Sequence, residues 1–254
     1  MNKLTPNKLL ISIITVVYNG AATIRQTIDS VMGQSYSNIE YIIVDGGSTD
    51  DTLKIIKEYG SKISKVISES DEGLYDAMNK GIGIANGELI GMINSDDWYE
   101  LDAVESMVAA YKKNPNKTIF HADRFDVDEK TNRELRKFNP SEFKFMYYGM
   151  TYSHPSMFIT HSEYAKHLYN TKLCSLSDYQ FVLETFLHNK KSFFYVSKPI
   201  VNYRLNGISA QLSLLASLKE GFLARRNAGM GLLKNIFSVN VRLLISLVHK
   251  LKSN

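Results

Sequence analysis

The chain has 254 residues, of which 44% are hydrophobic and 22% charged, close to the average of soluble globular proteins. This length suits one large α/β domain, or a domain with an appended module. No apolar run of roughly 18 residues or more indicates a membrane span, and the single cysteine, Cys174, excludes an internal disulfide.

The charge is unevenly distributed along the chain. The net charge is +4, but residues 210–254 carry +6, with Glu220 as their one acid, and the rest of the chain carries −2. A basic end on a near-neutral body is typical of contact with an anionic partner, such as a membrane surface.

Strands and helices alternate through the first half of the chain. The first apolar run, residues 9–17, is short, has no small-residue cleavage site and leads into a turn. We therefore interpret it as a buried strand and not as a signal peptide. Helical apolar spacing follows each of the first four strands, and Asp50 is placed to cap the second helix. Further buried strands are predicted at 39–44, 63–67, 88–93 and 118–121.

This alternation predicts a doubly wound, mainly parallel sheet. In such sheets, ligands bind beyond the carboxyl ends of the strands. Four polar loops follow the first four strands, at residues 18–20, 45–48, 68–73 and 94–97. We expect these loops to line one rim of the sheet.

The pattern is weaker after Asp123. A hairpin is predicted from strands 124–127 and 133–138, followed by a helix at 178–189 and short strands at 193–196 and 200–205. Two terminal helices are predicted at 210–227 and 232–251. Most of the surface of the last helix is apolar, apart from a narrow polar stripe formed by Asn235, Ser238, Arg242, Ser246 and His249.

Adjacent carboxylates stand at the end of the fourth strand. Asp96 and Asp97 suit a hard divalent cation, which prefers oxygen ligands and completes its shell with substrate phosphates. The alternative is that one of them caps a helix beginning near Glu100. No Walker loop or Gly-x-Gly-x-x-Gly motif is present to bind phosphates in another way.

Several segments together resemble the family 2 glycosyltransferases. They are SIITVVYNG, YIIVDGGSTDDT, SESDEGLYDAMNKGIGIANGELI and GMINSDDWY, in the order and spacing of that family. The later segments HPSMF, SDYQFVLE and YRLNGIS resemble the bacterial O-antigen and capsule branch. The resemblance covers roughly residues 10–210, and the combination is more specific than any one motif.

The resemblance implies an α/β fold of the GT-A type, a Rossmann-like, mainly parallel sheet with helices on both faces. Residues 1–209 would form the catalytic domain, with a nucleotide-sugar half at 1–122 and an acceptor half at 123–209. Residues 210–254 would form basic amphipathic helices, for which membrane binding, packing on the catalytic domain and a homodimer contact stay open.

The resemblance also implies roles for single residues. Asp96 or Asp97 would bind Mn²⁺ or Mg²⁺. For Tyr18, the alternative is a ring packed in the core. The pocket for the nucleotide sugar would be formed by Thr15, Tyr18, Asp45, Asp71, Asn94 and Asp96.

Three departures from the family pattern concern the donor. Many members have a second acid where this chain has Gly46, Asn where it has Asp71, and Arg where it has Met78. In addition, Asn94 replaces the first acid of the family's Asp-x-Asp motif. Asp71 would accept the uracil N–H in place of the missing groups, since a carboxylate is an acceptor, so UDP stays the favoured nucleotide.

On the acceptor side, Asp178 matches the family's catalytic base. Its alternative is a helix N-cap, for which Ser177 also competes. His154 would line the acceptor site or be purely structural, and Tyr203 or Arg204 would bind the diphosphate or the acceptor. Residues 207–209, with Gly207, would serve as a lid.

These implications add up to an inverting hexosyltransferase. It would use a nucleotide sugar and a saccharide acceptor, in the O-antigen and capsule branch often linked to polyprenyl diphosphate, at the cytoplasmic face of the inner membrane. Nothing indicates a nucleic acid partner. A nucleotidyltransferase of similar fold and a catalytically silent assembly protein are the alternatives, although the loop after the first strand lacks the basic, Gly-rich character of the former.

Overall fold

The first half of the chain forms a parallel sheet, as the alternation predicts. The structure is a computed structural model that describes residues 8–205 and 213–252. Its first four strands are β1 (Ile11–Val17), β2 (Ile39–Asp45), β3 (Lys65–Ser68) and β4 (Leu89–Asn94), in the order β3-β2-β1-β4. β1 is central and completely buried, which suits its continuous apolar and β-branched sequence.

Helices cover this half-sheet on both faces. They are α1 (Ile24–Met32), α2 (Thr52–Glu58), α3 (Leu74–Ile84) and α4 (Ala103–Lys113). Alternate side chains of β1 enter two separate cores because strand side chains point to opposite faces. Ile14 and Val16 pack in the core that contains α3, whereas Ile13 and Val17 pack in the core that contains α1 and α4.

A mixed half-sheet continues from β4. It contains β5 (Trp98–Tyr99), β6 (Ile119–Val127), β7 (Arg133–Arg136), β8 (Met157–Thr160) and β9 (Phe193–Arg204). The order is β4-β8-β6-β9-β5, with β7 paired to the outer part of β6. The α/β fold class is therefore confirmed, and its parallel character is concentrated in the first half of the chain.

Two strands are longer than predicted. The predicted strands 118–121 and 124–127 form the single strand β6, which begins at Ile119, and the predicted strands 193–196 and 200–205 form β9, which ends at Arg204. The pairing register shifts on both sides of Asp123, where it meets Pro199. A bulge lets a strand continue past a residue that cannot donate a backbone hydrogen bond.

The remaining helices lie mostly in the second half. They are α5 (His161–Tyr164), α6 (Ser177–His188), α7 (Leu214–Asn227) and α8 (Leu232–Lys252), and Lys144–Tyr148 forms a π-helical turn. Among the described residues, no helix is both long and apolar enough to cross a membrane. The predicted lid at residues 207–209 lies outside the described residues, and the division of the chain at residue 209 stays a prediction.

Three residues of the polar stripe of α8 contact the rest of the protein. Asn235 and Ser238 are fully buried. The Asn235 side chain accepts a hydrogen bond from Arg225 Nε at 2.9 Å, and Ser238 Oγ donates to the carbonyl of Tyr147 at 2.6 Å. Arg242 donates to Ser217 Oγ on α7 at 2.7 Å. The terminal helices thus pack on the rest of the chain through polar contacts.

Candidate active site

The loops after β1, β2 and β4 meet at one edge of the sheet. Val17 pairs with Asp45, and Val16 pairs with Asn94, so the three strands end side by side. Hydrogen bonds then join the first two loops, because the backbone N–H of Asn19 donates to Ser48 Oγ at 2.7 Å. The predicted rim at the carboxyl ends of the strands is present.

Thr15 and Tyr18 occupy different depths of this rim. Thr15 is fully buried, and its hydroxyl is 3.0 Å from the hydroxyl of Tyr41. Tyr18 is 62% exposed. The alternative that Tyr18 packs in the core is therefore wrong, while the proposed contact of Thr15 with a nucleoside stays a prediction that its burial does not favour.

Asp45 shapes the loop that follows β2. Its buried carboxylate accepts hydrogen bonds from the backbone N–H groups of Gly47 and Ser48 and from the hydroxyl of Ser68. Gly47 has φ +85°, a left-handed conformation that favours glycine. Asp45 thereby fixes the backbone on which any ligand at this end of the rim would rest.

Gly46 and Asp71 are neighbours in space. A Cβ atom at position 46 would lie 2.3 Å from Asp71 Oδ2, well inside van der Waals contact. The other oxygen, Asp71 Oδ1, accepts the N–H of Gly73 at 2.9 Å. Two of the departures from the family pattern are therefore in contact, because the Asp71 carboxylate occupies the space that a side chain at position 46 would need.

The turn after β4 holds its two acids differently. Asp97 is 1% exposed, and its carboxylate accepts hydrogen bonds from the backbone N–H of Arg204 at 3.0 Å and from the Asn94 side chain at 3.1 Å. Asp96 is half-buried, and among the described residues no other residue donates to its carboxylate. The helix-cap alternative is wrong for both, because α4 begins at Ala103 and is preceded by Asp102.

The electrostatics of this turn favour a neutralising partner. Burial raises the pKa of Asp97 to about 8, and the charge of Asp96 acts in the same direction. Burial also raises the pKa of Asp96. The turn is tied to α1, because the single hydroxyl proton of Thr27 is shared between the carbonyls of Ser95 and Asp97, at 2.9 and 2.7 Å from Oγ1.

Arg204 braces the same turn. Its Nε donates to the carbonyl of Asp96 at 2.7 Å, and its guanidinium lies 4.8 Å from the ring centre of Trp98. A second donor, Nη2, bonds to Gln26 Oε1 at 2.5 Å. The structure thus shows Arg204 positioning the turn, and its predicted contact with an acceptor or diphosphate stays a prediction.

A cleft of about 270 Å³ opens beside this turn. It brings together Asn94 from β4, Asp178 from the first turn of α6, His154 and Tyr203. These residues are as much as 109 positions apart in the sequence, and the cleft lies where the parallel and mixed half-sheets meet. Three predicted acceptor-side residues and one donor-side residue therefore share one cavity.

The two carboxylate oxygens of Asp178 differ in their hydrogen bonds. Its Oδ1 accepts hydrogen bonds from the Tyr75 hydroxyl at 3.1 Å and from the backbone N–H of Tyr179 at 2.7 Å. Among the described residues, none donates to its Oδ2. The N-cap alternative is wrong, since α6 begins at Ser177 and has Leu176 at its cap without a side-chain cap bond, and Ser177 Oγ instead accepts the N–H of Asn170.

His154 combines a structural contact with a place in the cleft. Its Nε2 lies 2.8 Å from the Tyr169 hydroxyl. Burial lowers the pKa of His154, although the nearby Asp178 carboxylate acts in the opposite direction. The ring is thus fixed in orientation and favoured in its neutral form.

Three further cleft residues were not singled out from the sequence. They are Tyr75, Arg124 and Tyr152. The Arg124 guanidinium lies 4.3 Å from the ring centre of Tyr203 and pairs with Asp126 at 2.6 Å. Arg124 follows the bulge of β6, and a bulge that re-aims a side chain leaves no clear mark in a single sequence.

The rim and cleft define a protein of the GT-A architecture, in which a Rossmann-like half-sheet joins a mixed half-sheet over a cavity that contains Asp178. The model of the family described as "Glycosyl transferase family 2" matches residues 12–169. The chain belongs to this family.

Individual relatives agree with this assignment. A chondroitin synthase from Escherichia coli is 27% identical over 215 residues, which are 83% of this chain and 31% of the relative. The chain spans less than half the length of the first curated relatives it matches.

Among solved structures, Staphylococcus aureus TarS 1–349 in complex with UDP-GlcNAc has a TM-score of 0.72 at 16% identity, over 92% of this chain and 72% of that one. A mannosyltransferase from Pyrobaculum calidifontis in complex with GDP-Man and Mn²⁺ has a TM-score of 0.61 at 15% identity, over 93% and 70%. At these identities the likeness shows the fold alone.

Proposed function

We propose that the chain transfers a hexose from a nucleotide sugar to a saccharide hydroxyl, with inversion at the anomeric carbon. The observation that carries this proposal is the half-free Asp178 carboxylate in the same cleft as Asn94. A base in the cleft and an acidic turn that contributes Asn94 to the same cleft match the two needs of the reaction, deprotonation of an acceptor and binding of a leaving diphosphate.

The chemistry that we propose is a single displacement. The acceptor hydroxyl gives its proton to Asp178 Oδ2 while its oxygen forms a bond to the anomeric carbon. The bond between that carbon and the diphosphate oxygen breaks, and the nucleoside diphosphate leaves with the electron pair. Tyr75 positions Asp178 through its hydrogen bond to Oδ1. An α-linked donor thereby gives a β-linked product.

The donor side would hold the diphosphate near the turn at residues 94–97 and the base near residues 45–48 and 71. UDP is the favoured nucleotide, since the Asp71 carboxylate would accept the N–H of uracil. TarS, which shares the fold, binds UDP-GlcNAc. Tyr18 stands exposed between these regions and would cover the nucleoside.

A divalent cation fits the acidic turn only if the protein and the donor diphosphate bind it together. Among the described residues, no group of three His, Cys, Asp or Glu side chains could hold a metal by itself. Mg²⁺ and Mn²⁺ are commonly held by one or two carboxylates, with substrate phosphates and waters completing the shell. Asp96 is the ligand we propose, because protein donors occupy the Asp97 carboxylate. The bound metal would offset charge on the departing diphosphate.

The acceptor that we propose is a saccharide carried on a polyprenyl diphosphate, at the cytoplasmic face of the inner membrane. The chondroitin synthase relative supports a saccharide acceptor. His154, Tyr203 and Arg124 would contact it, because they line the cleft beside Asp178. The +6 charge of residues 210–254 supports a site at an anionic membrane.

A nucleotide screen tests the donor assignment. UDP, GDP and dTDP and their sugars are added with Mn²⁺, and the apparent melting temperature is measured, since a ligand that binds the folded state raises it. We expect UDP and a UDP-sugar to stabilise the chain in a metal-dependent way. Protection by GDP but not by UDP would overturn the base assignment, and the absence of protection by any nucleotide would favour a silent assembly protein.

Replacing Gly46 by Ala tests the Gly46–Asp71 pair. The added Cβ would clash with Asp71 Oδ2, so we expect the carboxylate to rotate away and the affinity for UDP to fall about tenfold, the loss of one hydrogen bond to a charged group. Isothermal titration with UDP measures this. Gly83→Ala is the matched control, because a Cβ there meets open space. Unchanged affinity in Gly46→Ala would mean that Asp71 does not contact the base.

A further inference from the structure

Helix α8 of the α7–α8 hairpin has polar residues turned inward and large apolar residues turned outward. At about 100° per residue, the buried residues of α8, Asn235 and Ser238, fall on one side of the helix. Roughly the opposite half carries exposed large apolar residues. We define the hairpin surface as the outward side chains of Leu215, Leu223, Leu233, Phe237 and Leu244 with their neighbours on these two helices.

The exposure of this surface is unusually high for large apolar side chains. Leu233 is 83% exposed, Leu215 is 79% exposed and Leu244 is 64% exposed. Phe143, which precedes the π-helical turn, extends the surface, because its ring centre lies 6.4 Å from that of Phe237. Contiguous apolar patches of this kind mark sites of interaction with another molecule or with a membrane.

The inward polar contacts keep this orientation. Arg225 is completely buried and bonds to Asn235, and Arg242 bonds to Ser217. Rotating α8 to bury its leucines would expose or break these bonds and would leave the Arg225 charge buried without its Asn235 partner, which is costly. The outward apolar face is therefore built into the packing of the hairpin.

The charges around the hairpin surface indicate which kind of partner binds there. Lys219, Arg226 and Lys234 are exposed on the two helices. The sequence between residues 213 and 252 has one acid, Glu220, and its carboxylate accepts the backbone N–H groups of Cys174 and Ser175. A second copy docked face to face would bring like cations together, whereas anionic lipid headgroups complement them.

We propose that the hairpin surface lies in the interface of an anionic lipid bilayer, with its leucines among the acyl chains and its lysines at the headgroups. This is the arrangement of an interfacial amphipathic helix, which lies on a membrane without crossing it.

The purpose of this docking rests on the proposed function. The Glu220 carboxylate connects α7 to the backbone of Ser175, which lines the cleft. A docked hairpin would therefore hold the cleft close to a lipid-linked acceptor.

Vesicle flotation of the full chain tests the proposal. The vesicles contain phosphatidylcholine alone or with a third of phosphatidylglycerol. We expect binding to the anionic vesicles only, with a several-fold loss between about 0.1 M and 1 M salt, where the Debye length falls from about 10 Å to about 3 Å. Binding to neither vesicle would overturn the proposal.

Paired substitutions locate the surface. Leu233→Glu with Leu244→Glu should lower the vesicle partition coefficient at least about tenfold. Leu101→Glu is the matched control, since Leu101 is 67% exposed on the β5–α4 turn, and its binding should not change. Equal binding by the double variant and the wild type would overturn the proposal, as would a concentration-dependent dimer in sedimentation velocity that the double variant abolishes.

A second readout separates this proposal from the proposed function. Metal-dependent stabilisation by UDP is measured on the same double variant, whose substituted residues lie outside the cleft. Lost vesicle binding with retained UDP stabilisation supports the docking surface. If the wild type binds vesicles but no nucleotide, the proposed function fails and the docking surface stands.

Discussion

Asp178→Asn should lower kcat by about 10²- to 10⁴-fold, the usual contribution of a positioned general base, and leave donor binding unchanged. The asparagine keeps an oxygen that accepts the bonds of Tyr75 and the Tyr179 N–H, but it cannot take a proton from the acceptor. Steady-state release of UDP measures turnover, and the melting temperature with UDP and Mn²⁺ measures donor binding.

Two further variants locate the effect at the base. Glu184→Gln makes the same chemical change on the same helix, and its turnover should match that of the wild type. Tyr75→Phe removes one hydrogen bond to Asp178, so kcat should fall less than in Asp178→Asn. Normal kinetics in Asp178→Asn would show that Asp178 is not the base.

Asp96→Asn and Asp97→Asn should change different properties, the first the metal-dependent binding of UDP and the second the stability of the fold as a function of pH. Asp96→Asn should fold with an unchanged melting temperature and lose at least about 100-fold in metal-dependent affinity for UDP, because a neutral amide is a poor ligand for a hard cation. Asp97→Asn should instead keep its metal response and reduce the pH dependence of stability. Because burial raises the pKa of Asp97 to about 8, the wild type should lose unfolding free energy as the pH rises from the ordinary pKa of an aspartate towards 8, whereas an amide at this position cannot ionise.

Isothermal titration with UDP at several Mn²⁺ concentrations measures the metal response, and urea unfolding without ligand at about pH 5 and about pH 8 measures the pH dependence of stability. Asn94→Ala is the companion for Asp97, because it keeps the carboxyl group and removes one of its two hydrogen bonds. Loss of the metal response in Asp97→Asn but not in Asp96→Asn would assign the metal to Asp97 and contradict the proposed ligand.

The parallel half of the fold was predictable because its signals are local. The apolar run of β1 and the turn residues after each strand fix both the strands and the edge at which they end. The short strand β5 was not predicted, since Trp98 and Tyr99 become a strand only by pairing with Asn202 and Val201, more than 100 positions away. A pairing of this kind leaves no periodicity in either segment.

The candidate site was predictable to a similar extent. Asn94 and Asp178 share a cleft, as the family motifs imply. The sequence does not predict that Asp97 is buried and hydrogen-bonded whereas Asp96 is only half-buried. This difference depends on the backbone N–H of Arg204, which contacts Asp97 from β9. The polar stripe of α8 was also visible in the sequence, but not the direction it faces, because its partners Arg225 and Tyr147 lie on other segments.

The contact between Gly46 and Asp71 has a consequence for how this pocket can evolve. A side chain at position 46 meets the far end of the side chain at position 71, so an acid at position 46 requires the residue at position 71, whether Asp or the Asn of many family members, to turn away. The effect of a substitution at either position therefore depends on the residue and rotamer at the other, which makes the two positions an epistatic pair.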